Sequence, residues 1–202
     1  MSKLYFRYST MGAGKSLDLL KTAYTYEERD KYILLLTSSL DNRYGKNKIT
    51  SRLGGLNRDA IPFTKETNIF NLVSDSSFGL NCVLIDEGQF LTKEQVWQLT
   101  DIVDELDCDV IVYGLRSDFK GEPFEGSIYL MTLADEIEEL KMVCKYGEKT
   151  SMNMRLNNNI PVFDGEKVMI GGNDSYLPVC REYFKKMKNK YEWLCFNINT
   201  PN

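Results

Sequence analysis

Short apolar runs alternate with amphipathic stretches through the first two-thirds of this chain, and this alternation sharply limits the folds open to it. The apolar runs occupy residues 4–6, 32–36, 81–86 and 109–113. Helical spacing marks residues 16–29 and 130–137, and Thr92 with Gln95 forms a capping box before another helix. Strands separated by helices predict βαβ units and a mostly parallel sheet flanked by helices, which is an α/β fold. In such sheets, ligands bind beyond the carboxyl ends of the strands.

The pattern changes beyond about residue 141, where helical periodicity fades. Strand-like pieces at 151–156 and 167–170 are separated by asparagines and glycines, and residues 181–190 are predicted to form a last helix. We therefore divide the chain into a main domain, residues 1–140, and a small second unit, residues 141–202. Residues 193–196 either form a strand that packs on a partner subunit or tuck against the core.

Histidine is absent from all 202 residues. The chain therefore has no histidine-containing catalytic triad, no histidine-ligated zinc and no histidine general base. Acid–base chemistry must use Asp, Glu, Lys, Tyr or Cys side chains.

The charge balance and the cysteines limit the partners and the compartment. Lys and Arg number 25 against 29 Asp and Glu, a net charge of -4, so no basic excess exists to neutralise nucleic-acid phosphates. The five cysteines are odd in number and widely spaced, which favours a reducing compartment over a disulfide scaffold. The N-terminus lacks an apolar signal segment, and no apolar run approaches about 18 residues. We therefore expect a soluble, cytoplasmic protein without a nucleic-acid or membrane partner.

Residues 9–16 join a predicted strand to a predicted helix with the sequence Ser-Thr-Met-Gly-Ala-Gly-Lys-Ser. A phosphate loop, G-x-x-x-x-G-K-[ST], surrounds phosphates with backbone N–H groups, extends its lysine to the terminal ones and binds Mg²⁺ through its hydroxyl. Because Ser9 stands where the first glycine belongs, the pattern alone also fits an ordinary glycine-rich turn. Its position between a strand and a helix favours phosphate binding.

Two carboxylates, Asp86 and Glu87, follow the apolar run Cys-Val-Leu-Ile. P-loop enzymes place a carboxylate near Mg²⁺ in this way, at the end of a buried strand. With no histidine available, Glu87 is the natural candidate to deprotonate an attacking hydroxyl or water. The alternative is a surface acidic pair that ends a strand.

The loop at residues 113–124 contains two phenylalanines, two glycines and a proline directly after another predicted strand. This composition suggests a shaped loop that offers aromatic faces to a planar ligand. The alternative is that the aromatic rings fill the space beneath the loop.

Five motifs in one order and spacing carry a resemblance to a known family. They are Met11 through Ser16, Asp41-Asn42-Arg43-Tyr44, Asp86 through Phe90, Tyr113 through Phe124, and Ile170-Gly171-Gly172 with Tyr176 and Cys180-Arg181. Together they resemble the thymidine kinase family of the cellular, tetrameric type, over residues 4–184. The resemblance implies a P-loop NTPase-like (RecA-like) domain, a small C-terminal lasso domain, and transfer of phosphate from ATP to the 5′-hydroxyl of thymidine, giving dTMP for DNA synthesis by salvage. It also implies Mg²⁺, a homotetramer and feedback inhibition by dTTP.

The resemblance assigns a role to each matching position. The ATP phosphates would lie against Ser9, Thr10, Met11, Gly12, Ala13, Gly14, Lys15, Ser16, Asp41, Arg43, Asp86 and Gln89. Ser16 and Asp86 would hold Mg²⁺, and Glu87 would be the catalytic base. The nucleoside would contact Met11, Phe90, Leu115, Phe119, Phe124, Lys167, Val168, Met169, Ile170, Gly171 and Tyr176.

The sequence departs from the family pattern at three places. Ser9 replaces the first glycine of the phosphate loop, and Gly88 replaces the usual alanine, which we expect to be a small change. The family's lasso is held at its base by a structural zinc on two cysteine pairs, but Cys144 and Cys180 each lack the second cysteine. We therefore expect no zinc. Tyr146 and Tyr183, near or at the missing positions, are expected to pack where the metal would sit, as two rings or as one ring with the opposing cysteine.

Two other functions fit parts of the sequence. In a P-loop ATPase, Glu87 would activate water, and ATP would be consumed without any nucleoside. A nucleotide-binding regulator would bind dTTP and show no turnover.

Overall fold

A computed structural model describes residues 1–40, 47–52, 55–76, 79–145, 147–167 and 175–199, with side chains as far as Trp193. The strands are β1 (Leu4–Ser9), β2 (Ile33–Ser38), β3 (Lys48–Thr50), β4 (Asn57–Asp59), β5 (Ile61–Phe63), β6 (Cys82–Ile85), β7 (Asp109–Leu115), β8 (Glu136–Glu139), β9 (Met152–Asn157), β10 (Ile160–Val162) and β11 (Tyr176–Val179). The helices are α1 (Lys15–Glu27), α2 (Ile69–Ser74), α3 (Lys93–Leu106), α4 (Glu125–Leu133) and α5 (Arg181–Asn199), and Gly88–Phe90 forms a 3-10 turn.

Six strands form the central sheet, in the order β5-β2-β6-β7-β1-β8. Every pairing between these neighbours is parallel. Alternate residues of β6 face opposite sides: Val83 and Ile85 pack with α2, α3 and α4, whereas Cys82 and Leu84 pack with α1. The sheet is therefore covered by helices on both faces, and the predicted α/β fold is confirmed.

The capping box is present as predicted. The Thr92 hydroxyl accepts the Gln95 N–H, and the Gln95 side chain accepts the Thr92 N–H, which fixes the start of α3.

The helix predicted over residues 130–137 is wrong at its second half. α4 begins at Glu125 and ends at Leu133, and the next residues form the edge strand β8. The Asp135 carboxylate accepts the Leu4 N–H at 2.8 Å, and β8 then pairs with β1. Pairing with the sheet edge outweighs local helical spacing here.

The last third of the described chain forms an antiparallel sheet, β10-β9-β11, followed by α5. Asn158 and Asn159, both in the left-handed region, make the turn between β9 and β10. Lys167 lies outside the strands, so the strand predicted at 167–170 does not include it, and residues 168–170 lie outside the described part.

The strand predicted for residues 193–196 is wrong, because these residues lie within α5. Phe184, Met187 and Tyr191 lie on one face of that helix and pack into the apolar cluster of the antiparallel sheet. This i, i+3, i+7 stripe carries the helix past residue 190.

The strands β3, β4 and β5 and the helix α2 had no clear signal in the sequence, because each is short. None of the described helices is both long and apolar enough to cross a membrane.

Candidate active site

The loop at residues 9–16, which we call the phosphate loop after its sequence motif, connects β1 to the first turn of α1. Ser9 is the last residue of β1, and extended backbone there suits serine as well as glycine. Gly12 and Gly14 have φ values of 77° and 82°, in the left-handed region that favours glycine. Gly14 is also the N-cap of α1, so the helix N-terminus opens toward the loop.

The loop's lysine and serine are both placed by short contacts. Lys15 is buried, and its Nζ donates to the Thr10 carbonyl oxygen at 2.8 Å. The Ser16 hydroxyl donates to Asp86 Oδ2 at 2.9 Å. Asp86 follows β6 directly, so this bond joins the phosphate loop to the end of the next strand but one.

Glu87 is held in an uncommon conformation beside Asp86. Its backbone is left-handed, with φ 57° and ψ 36°, and its N–H donates to Asp86 Oδ1 at 2.9 Å. The Gln89 side-chain amide donates to a Glu87 carboxylate oxygen. Gln89 Oε1 in turn accepts the Leu115 N–H at 3.0 Å, which ties the acidic pair to the end of β7.

Gly88, between these residues, is tightly packed. A Cβ atom at this position would lie 2.1 Å from Val112 Cγ1. The expectation that glycine is a small change here is therefore wrong in packing terms: the side chain of Val112 occupies the space of an alanine methyl.

A cleft at the carboxyl ends of the strands brings the first two motifs together. It is lined by Met11, Gly12, Gly14, Lys15, Ser16, Leu17, Thr37, Lys48, Thr50, Ser51, Arg52, Asp86, Glu87 and Leu115. Sequence reasoning missed Leu17, Thr37, Lys48, Thr50, Ser51 and Arg52. Thr37 could have been found as a polar residue at the end of a predicted strand, whereas the short strand β3 gave no signal.

The loop after β7 is shaped by one buried carboxylate. Asp118 Oδ1 accepts the N–H groups of Lys120 and Glu122, both at 2.9 Å. The Phe119 ring is fully buried in this loop. Gly121 has φ 87°, as the tight turn requires.

Phe90, Phe124 and Lys167 form a cluster of two aromatic rings and one lysine side chain. The rings of Phe90 and Phe124 meet edge to face with centroids 5.9 Å apart. Lys167 Nζ donates to the Pro123 carbonyl oxygen at 2.7 Å and lies 5.1 Å from the Phe124 ring centroid. The Tyr176 ring is buried at the start of β11.

The antiparallel sheet bonds directly to the phosphate loop, a link the sequence did not reveal. Asn153 Oδ1, on β9, accepts the Met11 N–H at 2.8 Å. The hydroxyls of Thr10 and Thr150 share a hydrogen bond of 2.8 Å.

A partly buried hydrogen-bond network supports α1 beneath the loop. Burial raises the pKa of the Tyr113 phenol, which therefore stays neutral. Its hydroxyl donates to Asp18 at 3.0 Å and accepts from Arg7 at 2.8 Å. These bonds join α1 to β7 and β1.

The sequence comparisons agree with this geometry. A family model described as thymidine kinase matches residues 2–184. The chain belongs to the thymidine kinase family. A protein named thymidine kinase from Enterococcus faecalis is 49% identical over 185 residues, covering 91% of this chain and 95% of the relative. Relatives of the same name from Haemophilus influenzae and Mannheimia succiniciproducens are each 50% identical, covering 92% and 94% of this chain and 97% and 98% of their own.

Some of the residues that the resemblance assigns in this thymidine kinase family member lie outside the described part of the chain. They are Asp41, Arg43, Val168, Met169, Ile170 and Gly171, and Tyr146 joins them.

Of the two cysteine pairs that the resemblance implies for zinc, the sequence retains Cys144 and Cys180. Cys144 and Cys180 are free thiols. Among the described residues, no group of three or more His, Cys, Asp or Glu side chains could hold a metal ion. Tyr183 packs against the apolar cluster of Met154, Phe163, Val179 and Phe184.

Proposed function

We propose that this chain transfers the γ-phosphoryl group of ATP to the 5′-hydroxyl of thymidine, giving dTMP and ADP for DNA synthesis by salvage. The contact that carries the proposal is the bond from Ser16 Oγ to Asp86 Oδ2, because it joins the phosphate loop to the acidic pair. Met11 and Leu115 line the same cleft, so apolar walls for a nucleoside adjoin the phosphate site.

The phosphates would lie against residues 9–16, with Lys15 moving from the Thr10 carbonyl to a phosphate oxygen. The N–H groups of Gly12, Ala13 and Gly14 and the N-terminus of α1 supply further donors. We also assign Asp41, Arg43 and Gln89 to the ATP phosphate site, as the resemblance implies. Lys48 and Arg52 add positive charge at the same cleft.

The oxygens of Ser16 and Asp86 suit Mg²⁺, which prefers hard oxygen ligands and accepts one carboxylate together with substrate phosphates. Bound there, Mg²⁺ would neutralise charge on the phosphates. The protein's own part is to hold the hydroxyl and carboxylate together before substrates bind.

Glu87 would accept the proton of the attacking hydroxyl. As the 5′-oxygen forms its bond to the γ-phosphorus, the bond from phosphorus to the β,γ-bridging oxygen breaks and ADP leaves. The hydroxyl proton passes to the Glu87 carboxylate. Gln89, which donates to that carboxylate and accepts from the Leu115 N–H, fixes its position.

The nucleoside would be enclosed by aromatic and apolar side chains from the loop after β7 and from the cluster of Phe90 and Phe124. We assign it Met11, Phe90, Leu115, Phe119, Phe124, Lys167, Val168, Met169, Ile170, Gly171 and Tyr176. An apolar enclosure favours the 5-methyl group of thymine by about 1 kcal/mol. Cytosine should be rejected more strongly, because its altered donor pattern would leave buried groups unpaired.

We propose the same division of the chain as the sequence suggests, with the small unit beginning near residue 141. This unit would hold no structural zinc, because a tetrahedral site needs four ligands and only Cys144 and Cys180 remain of the two pairs. A homotetramer, feedback inhibition by dTTP and a cytoplasmic location complete the proposal. The first two rest on family membership, and the last on the odd number and wide spacing of the five cysteines.

Phosphate transfer from γ-labelled ATP to a panel of nucleosides, with product identification, tests the proposal. We expect dTMP from thymidine and little product from deoxycytidine or purine nucleosides. ATP hydrolysis without nucleoside would favour the ATPase, and dTTP binding without turnover would favour the regulator. Equal activity on deoxycytidine would contradict the assigned pocket.

A further inference from the structure

Arg155 is a buried cation that none of the roles above uses. It lies on β9 and is 5% exposed. Its guanidinium carbon lies 3.5 Å from the centroid of the Phe119 ring. That is close enough for the planar guanidinium to rest on the ring, an arrangement that combines cation–π attraction with stacking.

The N–H groups of Arg155 donate hydrogen bonds to two other residues, Tyr176 and Glu166. Nε and Nη2 both donate to the Tyr176 hydroxyl, at 3.1 and 2.8 Å. Nη1 donates to the Glu166 carbonyl oxygen at 2.9 Å. Glu166 and Tyr176 lie before and after residues 167–175 in the chain. The Arg155 side chain therefore holds the backbone at Glu166 and the hydroxyl of the Tyr176 ring at the same time.

Arg155 therefore does more than fill space. The ion pairs found among the described residues do not include it. Within the described part of the chain, the guanidinium contacts a π face, a phenol oxygen and a carbonyl oxygen. An apolar side chain of similar volume would fill the position without the cost of desolvating a charge.

We propose that Arg155 is a positioning residue for the nucleoside, which holds the Phe119 ring and the Tyr176 hydroxyl in their binding arrangement before substrate arrives. This inference rests on the proposed function, in which Phe119 and Tyr176 contact the nucleoside. A planar guanidinium can lie on the Phe119 ring while two of its N–H groups donate to the Tyr176 hydroxyl. The ammonium group of lysine cannot do both, so lysine should not replace Arg155. The described contacts of Arg155 do not include the phosphate loop, so ATP binding should be independent of it.

The experiment compares the parent with Arg155→Met, Arg155→Lys, Tyr176→Phe and the double variant Arg155→Met/Tyr176→Phe. The matched control is Lys120→Met, because Lys120 Nζ lies over the same Phe119 ring at 5.6 Å but is partly exposed. KM for thymidine, KM for ATP and kcat are measured for each, with thermal melting as a check of folding. The parent is assayed first: absence of dTMP from the parent overturns the proposed function, whereas the Arg155 inference is judged on the ratios between variants.

We expect Arg155→Met and Arg155→Lys each to raise KM for thymidine about tenfold or more, with KM for ATP within about twofold of the parent. Tyr176→Phe should weaken thymidine binding in the parent but change it by less than about twofold in the Arg155→Met background, because the two side chains act through one contact. Lys120→Met should leave all three constants near those of the parent.

Three results would overturn the inference. The first is a double variant whose increase in KM for thymidine equals the product of the increases in the two single variants. The second is a KM for ATP that rises in parallel with the KM for thymidine. The third is an Arg155→Lys variant with the thymidine affinity of the parent. If Arg155→Met does not fold, the KM for thymidine of Arg155→Lys decides the question. Lysine keeps the charge and most of the side-chain volume but lacks the planar guanidinium group.

Discussion

Gly88→Ala should disturb the centre of the site although it adds a single methyl group. The new Cβ would lie 2.1 Å from Val112 Cγ1, where ordinary contacts begin at 3.4 Å, so one of the two atoms must move by about 1.3 Å. Val112 is fully buried on β7, and a β-branched side chain has little rotamer freedom. Overpacking of this kind costs about 1–3 kcal/mol, and in a chain of this size each kcal/mol lowers Tm by about 2–4 °C.

The same displacement should reduce turnover, because Gly88 adjoins Glu87. A misplacement of about 1 Å can cost about 10²-fold in rate. Thermal or urea melts and kcat with thymidine measure the two effects separately. We expect lower stability and lower kcat together.

A second substitution distinguishes a clash from a general loss of flexibility. Val112→Ala removes the opposing Cγ1, so Gly88→Ala/Val112→Ala should recover most of the lost turnover and be more stable than the sum of the two single changes predicts. Gly79→Ala is the matched control, since a Cβ there meets nothing within 4 Å, and it should change stability by less than about 0.5 kcal/mol. A parent-like Gly88→Ala, or a double variant no better than the single one, would refute the reasoning.

Three further outcomes are expected. Glu87→Gln should lower kcat by about 10²-fold or more while thymidine affinity measured by calorimetry stays near that of the parent, because the amide keeps the shape but cannot accept a proton; turnover within a few-fold of the parent would show that Glu87 is not the base. Elemental analysis of purified protein should find no stoichiometric zinc, and chelators should leave Tm unchanged; one zinc per chain bound through Cys144 and Cys180 would contradict the loss of the site. Burial raises the pKa of the Cys108 thiol to about 12 and that of Cys82 as well, so both should resist alkylation at pH 8 until the protein unfolds, which peptide mass mapping would check against the more exposed Cys180.

The sequence was most informative where a local rule and the tertiary structure agree. Buried runs such as the one ending at Ile85 show their strand character in composition, and the Thr92 capping box needs only residues three apart. That Gly14, Lys15 and Asp86 lie together in one cleft was predictable, because a parallel sheet brings the ends of its strands to one edge.

Features that depend on distant contacts were not predictable from spacing. Residues 136–139 have helical spacing but pair with β1, since an open sheet edge offers hydrogen bonds that no local pattern reveals. Lys48 reaches the cleft on a strand of three residues, too short to show periodicity. Arg155 and Asn153 contact groups far away in the chain, and nothing near them in sequence indicates those partners.

The position of β1 in the sheet also determines when this protein can fold. β1 precedes the other described strands in the chain, yet its neighbours are β7 and β8, and Leu4 lies in register with Val110. A nascent chain that ends before about residue 115 can therefore present β1 with no strand to pair with, and its buried residues Leu4 and Phe6 stay exposed to water and to other chains. Pairing across such separations makes folding slow and raises the risk of aggregation during synthesis. The phosphate loop follows β1 directly, so it gains the support of the central sheet only after β7 has been synthesised.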